Sequence, residues 1–99
     1  MTFVVVARYR TGPGERDALL PLLDEMARES RKEPGNLAYR VHTGTQEPDL
    51  IVLYEEYESE DAFQAHCDSE HFKRIVLDQV APRLESREVH RLAPREEGR

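Results

Sequence analysis

Two histidines and one glutamate are the side chains of this sequence best suited to acid–base chemistry: His66, His71 and Glu55. Histidine changes its charge near neutral pH, so a histidine held in a pocket can remove a proton from a bound molecule. Glu55 alternates with Leu53 and Tyr57 along one strand face, which brings a carboxylate into apolar surroundings where it needs a partner. His66 is the obvious candidate for that partner. The sequence therefore predicts a general base supported by a carboxylate.

Each of these residues also has a purely structural interpretation. His66 lies on the apolar face of a predicted helix, where a core histidine with satisfied hydrogen bonds is the usual finding. His71 lies close to Ser69, which can cap a helix, so it could simply touch solvent at a helix start. Glu55 could end its strand in solvent or pair with Arg40. The residue types alone leave these alternatives open.

A second group of residues could form the walls of a substrate pocket, namely Leu53, Tyr57, Phe63 and Phe72. Apolar walls exclude water from a reacting molecule. His42 shares a strand face with Arg40 and is a further substrate-binding candidate, either at the cleft or at a dimer seam. No metal is expected, because His66 and His71 are five residues apart with the Ser69 cap between them and do not form an i, i+4 pair. The sequence thus predicts an apolar pocket with no metal.

Hydrophobic periodicity predicts the elements that hold these side chains. In chain order they are a strand at Thr2 to Tyr9, a helix from about Pro13 to Arg31, strands at Leu37 to His42 and Leu50 to Tyr57, a short helix capped by Ser59, a second helical segment capped by Ser69 and stopped by Pro82, and a weaker strand at Arg87 to Leu92. This βαββαβ order is that of the ferredoxin-like α+β fold, with a four-stranded antiparallel sheet. Residues 1–93 are expected to form this one domain, and residues 94–99 a charged, flexible tail.

The first and third predicted strands are apolar on both faces, and this predicts a partner chain. Two helices can cover only one face of a four-stranded sheet, so a monomer would expose Val4, Val6, Leu50, Val52 and Tyr54. Such a patch is unusual on a soluble monomer, and burial contributes about 1.5–3 kcal/mol per large apolar side chain. We therefore expect a homodimer that packs sheet against sheet.

Charge and composition exclude several classes of partner. Fourteen basic and twenty acidic residues give a net charge of −6, with both signs interspersed, so nucleic acid and anionic membranes are not expected. Cys67 is the only cysteine, which excludes an intrachain disulfide. The apolar run at Phe3 to Ala7 is too short for a signal peptide or a membrane span. A cytoplasmic location is expected.

Two stretches of the sequence are typical of a known family. They are Glu33 to Tyr39 (EPGNLAY), and Tyr54 to His66 (YEEYESEDAFQAH) with its continuation at residues 71–73 (HFK). With the Gly-Pro-Gly before the first helix, they resemble the antibiotic-biosynthesis monooxygenase superfamily of dimeric α+β barrel proteins, over about Thr2 to Leu92. The resemblance implies a cofactor-independent monooxygenase that acts on a small quinol or phenol, with molecular oxygen as its co-substrate.

Other members of this superfamily have different chemistry. Haem-degrading members carry an asparagine, a tryptophan and a histidine where this sequence has Val6, Tyr57 and Val76, so haem degradation is rejected. An isomerase of a phosphorylated autoinducer-2 product shows a similar pattern of tyrosine and histidine and stays an alternative. A small-molecule binder that has kept the fold without the chemistry is the third possibility.

The expected mechanism follows from what a cofactor-free oxygenase must do. A quinol or phenol donates electrons to oxygen poorly until it loses a proton. We expect His66 or His71 to take that proton, and Glu55 to orient or balance the imidazolium. The electron-rich anion then reacts with oxygen between apolar walls. An isomerase would use much the same acid and base, so the sequence does not separate the two activities.

Overall fold

The computed structural model describes residues 2–95 and shows the predicted order of elements. Its strands are β1 (Phe3–Thr11), β2 (Asn36–Thr43), β3 (Leu50–Tyr57) and β4 (Leu84–Leu92), and its helices are α1 (Arg16–Ser30), α2 (Glu60–Cys67), a π-helix (Phe72–Val80) and a short 3-10 helix (Ala81–Arg83). Within residues 2–95, no helix combines the length and apolar character that crossing a membrane requires. Most of the predicted tail, residues 96–99, lies outside the described residues.

The four strands form one antiparallel sheet in the order β2-β3-β1-β4. The register pairs Val5 with Glu55 and Ala7 with Leu53, so alternate residues of the two central strands face the same side. On that side they meet α1 and the π-helix in a core that includes Tyr9, Leu19, Leu23, Met26, Ile51, Ile75, Val76 and Val80. The ferredoxin-like α+β fold and the predicted division of β1 and β3 into two faces are confirmed.

The other side of the sheet is not covered by any helix of the described chain. Val4, Val6, Val52 and Tyr54 lie on this open side and are half-buried. Leu50, which was expected to be exposed with them, is buried at 8% exposure. The apolar residues that predicted a partner chain therefore lie together on the open side of the two central strands, with Arg8 and Glu56 beside them. The homodimer itself stays a prediction.

Two elements begin three residues away from their predicted starts. Helix α1 begins at Arg16 instead of Pro13, because the chain first makes a turn in which Gly14 has a φ of 77°. Strand β4 begins at Leu84, three residues before the predicted start at Arg87, because it pairs with β1 almost from end to end. The charged residues at the start of β4 carry no apolar alternation, so their strand structure depends on this long-range pairing.

Two serines fix the segments that carry the histidines. The Ser59 Oγ caps α2 by accepting a hydrogen bond from the Ala62 backbone N–H at 3.1 Å. The Ser69 Oγ accepts a hydrogen bond from the Phe72 N–H at 3.2 Å and donates one to the His66 carbonyl oxygen at 2.7 Å. Both predicted caps are confirmed. The second one ties the end of α2 to the start of the π-helix, a form of helix that is frequent at functional sites.

Gly35 lets the turn after α1 approach α2 closely. A β-carbon at position 35 would lie 2.5 Å from the Ala62 Cβ. We therefore expect Gly35→Ala to destabilise the fold by about 1–3 kcal/mol through overpacking, which corresponds to roughly 4–8 °C in melting temperature per kcal/mol. Gly12→Ala is the matched control, because its added carbon meets nothing nearer than 3.7 Å. Equal melting temperatures for the two variants, measured by circular dichroism, would contradict this expectation.

Candidate functional site

Five polar side chains meet on the helix-covered side of the sheet and form what we call the histidine–carboxylate cluster. Its members are Glu33, Glu55, Tyr57, His66 and His71. They come from the turn after α1, from β3, from α2 and from the turn that follows α2. Four of them were predicted site residues, and the structure brings these four together. The fifth, Glu33, joins the two histidines.

His66 is the central member of the cluster, and only 2% of its surface is exposed. Its Nδ1 lies 2.9 Å from Glu33 Oε2 and 3.2 Å from Glu33 Oε1. Its Nε2 lies 3.7 Å from Glu55 Oε1, a distance that allows charge attraction but is too long for a hydrogen bond. Each ring nitrogen of this buried imidazole therefore faces a carboxyl group, and only the Nδ1 side is directly hydrogen-bonded.

Glu33 also contacts the second histidine. Its Oε2 lies 2.5 Å from His71 Nε2, and the two imidazole rings are 6.2 Å apart between centroids. The Ser69 cap does place His66 and His71 in separate helical segments, as predicted, but the connection at residues 68–71 brings the second ring back beside the first. The expectation of no metal was argued from that separation and loses its basis. The Glu33 and His71 side chains are 15% and 17% exposed, so the cluster reaches solvent here.

Glu55 is a buried carboxyl group with one direct hydrogen bond. The Tyr57 hydroxyl donates to Glu55 Oε1 at 2.7 Å, and burial raises the pKa of the Glu55 carboxyl against the opposing effects of Tyr57 and His66. Burial, followed by the Glu55 charge, raises the pKa of the Tyr57 phenol far above its usual value, so this phenol stays protonated and donates. The alternatives of a solvated Glu55 and an Arg40 partner are wrong.

Aromatic rings surround the His66 imidazole. Phe63 stacks on it with a centroid distance of 6.1 Å, and Phe72 meets it edge-on at 5.3 Å. Tyr39 and Tyr57 approach it at 5.8 Å and 5.3 Å. These rings keep water away from the imidazole, so charges near it interact more strongly than they would in solvent. Phe63 and Phe72, both predicted as pocket walls, therefore lie where the prediction placed them.

A small cleft opens beside His66 in the direction of β4. Its volume is about 30 Å³, which holds one or two water molecules. The wall of the cleft contains three charged or titratable groups, Glu55, His66 and Arg87, in addition to tyrosines and the Cys67 thiol. Phe63 is one of the aromatic residues of the wall. The cleft therefore offers a small ligand an imidazole, a carboxyl group and a guanidinium within aromatic walls.

Three predicted substrate-binding residues and the predicted base His71 do not line this cleft. Tyr57 is fully buried and contacts Glu55 and the His66 ring instead. Leu53 faces the helices as predicted, but it is fully buried in the main core away from the cleft wall. His42 is exposed on the open side of the sheet, because Tyr39 and Val41 of the same strand point into the core and the side chains alternate. Of the two places predicted for His42, the cleft is therefore wrong, and the dimer seam stays a prediction.

Glu33 and Arg87 belong to the site but were not predicted as site residues, although Glu33 begins the stretch Glu33 to Tyr39 that is typical of the family. Glu33 belongs to the turn that ends α1, and its partner His66 lies 33 positions along the chain. A buried histidine requires a polar partner, so the sequence contained a reason to expect a carboxylate but not its identity. Arg87 pairs in register with Tyr9 on β1, and its guanidinium lies 5.8 Å from the centre of the Tyr9 ring. Only the β1–β4 register reveals this placement.

Comparison with known proteins gives one family and one curated relative. The sequence matches the antibiotic biosynthesis monooxygenase family over residues 2–77. The relative, "Putative monooxygenase Rv0793" of Mycobacterium tuberculosis (strain ATCC 25618 / H37Rv), is 37% identical over 68 residues. The aligned part is 69% of this chain and 66% of that protein, slightly less than two thirds of its length. The family match includes every member of the histidine–carboxylate cluster.

Solved structures share this fold over nearly the whole chain. The structure of Rv0793 from Mycobacterium tuberculosis has a TM-score of 0.89 and 32% identity, with 100% of both chains covered. A crystal structure of an antibiotic biosynthesis monooxygenase has a TM-score of 0.87 and 29% identity, covering 93% of this chain and 97% of that one. A conserved protein from Methanosarcina mazei Go1 has the same fold, with a TM-score of 0.90 at 24% identity over 96% and 94% of the two chains.

Proposed function

Because this chain belongs to the antibiotic biosynthesis monooxygenase family, we propose that it oxidises a small phenol or quinol with molecular oxygen and without a bound cofactor. The observation that carries the proposal is the position of His66. This buried imidazole has a carboxyl group facing each nitrogen, aromatic rings around it and a cleft beside it. Such an arrangement suits a general base that works with little water present.

The proton acceptor in this proposal is His66 Nε2. The Nδ1–H donates to the Glu33 carboxylate, which selects the tautomer whose Nε2 carries the lone pair. Glu55 lies 3.7 Å from that nitrogen, so no direct hydrogen bond occupies it. A hydroxyl group of a substrate in the cleft can donate to Nε2, and the imidazolium that forms lies between two carboxyl groups. Glu33 thus orients the base, and Glu55 balances the charge.

The deprotonated substrate supplies the electrons. A phenol with a free ring position reacts with one O₂ to give a quinone and one water, so that one oxygen atom enters the ring and the other leaves as water. The four electrons that reduce the oxygen come from the substrate, and no external reductant is required. Arg87 lines the cleft and stabilises the phenolate charge. Phe63 and Phe72 limit the access of water to the reacting anion.

The proposal includes a homodimer that packs through the open side of the sheet. Val4, Val6, Val52 and Tyr54 support it, since they form an apolar surface with no cover from the described chain. The cleft itself, at about 30 Å³, is smaller than a phenol, so the proposed substrate enters only when side chains at the rim move apart. The rim of the cleft is β4, an edge strand that is exposed over residues 85–92.

A charge placed on the open side tests the homodimer. We expect Val6→Glu to convert a dimer into a monomer, because the two-fold packing would bury two carboxylates without partners. Light scattering coupled to size-exclusion chromatography at about 10 µM, a concentration typical of stable homodimers, measures the change. Leu77→Glu is the control, because Leu77 is an exposed apolar residue of the π-helix on the opposite side of the sheet. A monomeric unmodified chain would contradict the homodimer.

Oxygen consumption tests the proposed reaction. We expect the chelator-treated protein to consume oxygen with at least one member of a panel of small phenols and quinols, and to place one ¹⁸O atom from ¹⁸O₂ in the product. The protein without substrate and the substrate without protein are the controls. Anaerobic turnover of a small phosphorylated ketone, with no oxygen uptake from any phenol, would replace the proposal with an isomerase.

A further inference from the structure

The histidine–carboxylate cluster contains a second arrangement that acid–base chemistry does not require. Glu33, His66 and His71 direct three donor atoms toward one another, and these atoms all lie within 4.8 Å of each other. We propose that these three side chains bind one divalent transition-metal ion, with Zn²⁺ as the ion that the donors fit best. This inference goes beyond the proposed monooxygenase activity and does not rest on it.

The donor set is the first argument for the site. Two imidazoles and one carboxylate are the protein ligands of many three-ligand zinc sites, in which water or another molecule takes the fourth position. Glu33 Oε2 lies 2.9 Å from His66 Nδ1 and 2.5 Å from His71 Nε2. Tetrahedral zinc with bonds of about 2.0–2.1 Å places its donors roughly 3.3 Å apart. The two Glu33 distances therefore need to lengthen by less than about 1 Å to reach this spacing, and the two imidazole donors lie within 4.8 Å of each other.

The surroundings of His66 are the second, independent argument. A histidine that binds a metal through one nitrogen usually donates the N–H of the other nitrogen to a carboxylate. His66 would bind through Nδ1, and its Nε2 faces Glu55 Oε1 at 3.7 Å. The Tyr57 hydroxyl holds that carboxyl group in place at 2.7 Å. The buried cluster thus already contains the outer carboxylate that orients a metal-bound imidazole.

Access and rigidity are the third argument. The Glu33 and His71 side chains are partly exposed, so an ion can enter from solvent without opening the core. Ser69 holds the connection between the two histidines, because its Oγ bonds to the His66 carbonyl and to the Phe72 N–H. The ligands therefore sit on backbone that is fixed before the ion arrives, and the solvent side leaves a position for water.

Calorimetric titration of chelator-treated protein with ZnCl₂ tests the site. We expect one ion per chain with a dissociation constant in the micromolar range or lower, and a weakening of about tenfold or more in His71→Ala and in Glu33→Gln. The His42→Ala/His90→Ala double variant is the matched control, because it removes the two exposed histidines and leaves the cluster intact. Its affinity should equal that of the unmodified chain.

Two further measurements distinguish the loss of a metal ligand from misfolding of a variant. Co²⁺ in place of Zn²⁺ should give a visible absorption band of a low-coordinate site, which His71→Ala removes while circular dichroism shows an unchanged fold. Glu55→Gln keeps all three ligands and should weaken Zn²⁺ binding by about 10- to 100-fold, through the orientation of His66. No uptake at about 1 mM ZnCl₂, the limit of weak binding, would overturn the proposal. Uptake that survives His71→Ala but not the double variant would also overturn it, because the ion would then lie on the surface histidines.

Discussion

His66→Gln is expected to lower kcat for oxygen consumption by about 10²- to 10⁴-fold, which is the usual contribution of a positioned general base. Glutamine can still donate a hydrogen bond to Glu33 from this position, but it cannot accept a proton from a phenol. The substrate KM should change much less, because the aromatic walls at Phe63 and Phe72 remain. The loss should therefore be concentrated in the chemical step.

Stability must be measured alongside this rate, because His66 is buried between two carboxyl groups. If His66 were only a core histidine, the variant would lower the melting temperature and lose activity in proportion to the unfolded fraction. Under the proposed function, folded His66→Gln binds substrate and does not turn it over. His42→Gln is the control, since His42 is exposed on the other side of the sheet. Full activity in His66→Gln would remove this residue from the mechanism.

The fold was predictable because its strongest signal is local. β1 and β3 are runs of apolar, β-branched and aromatic residues, which predict strands, and successive side chains of a strand point to opposite faces. The serine caps are equally local, since Ser59 and Ser69 act within three residues of themselves. The start of β4 was not predictable in this way. Its residues 85–88 are charged and polar, and they form a strand only because β1 lies beside them.

The sequence predicted only those site residues whose direction follows from the periodicity of their own strand or helix. Glu55 and Tyr57 follow from strand alternation, and Phe63 and His66 follow from the stripe of α2. Glu33 does not follow from any such pattern, because it meets His66 only after the turn at Gly35 packs on α2. The same reason explains two wrong expectations, namely that His71 would not share a metal site's geometry with His66 and that His42 could line the cleft. His71 is redirected by a turn, and the face of His42 is decided by what covers the sheet.

The two proposed roles of His66 require opposite tautomers of its imidazole ring. As a base, His66 keeps a proton on Nδ1 for Glu33 and a lone pair on Nε2 for the substrate. As a metal ligand, it uses the Nδ1 lone pair for the ion and keeps a proton on Nε2 toward Glu55. Glu33 changes its role between the two states. It accepts a hydrogen bond from His66 in the first and binds the metal ion in the second. One chain can therefore have only one of these roles at a time.

Glu33→Gln is expected to reduce kcat by about 10²- to 10⁴-fold although Glu33 itself touches no substrate in the proposed mechanism. The amide NH₂ of glutamine can donate to His66 Nδ1, which moves the imidazole proton to Nε2 and removes the lone pair that accepts the substrate proton. Glu33 is thus a positioning residue, and its effect passes through the His66 tautomer. A merely structural role would lower stability and leave that tautomer unchanged.

The ¹⁵N chemical shifts of the His66 ring distinguish these two explanations. In the unmodified, metal-free chain we expect Nδ1 to be protonated, and in Glu33→Gln we expect Nε2 to be protonated, with the activity lost in the same sample. Glu29→Gln is the matched control, because Glu29 lies close by in α1 and pairs with Lys32 at the surface. In Glu29→Gln, the His66 tautomer and the rate of oxygen consumption should equal those of the unmodified chain. Undiminished oxygen consumption by Glu33→Gln would show that the substrate proton does not go to an imidazole oriented by Glu33.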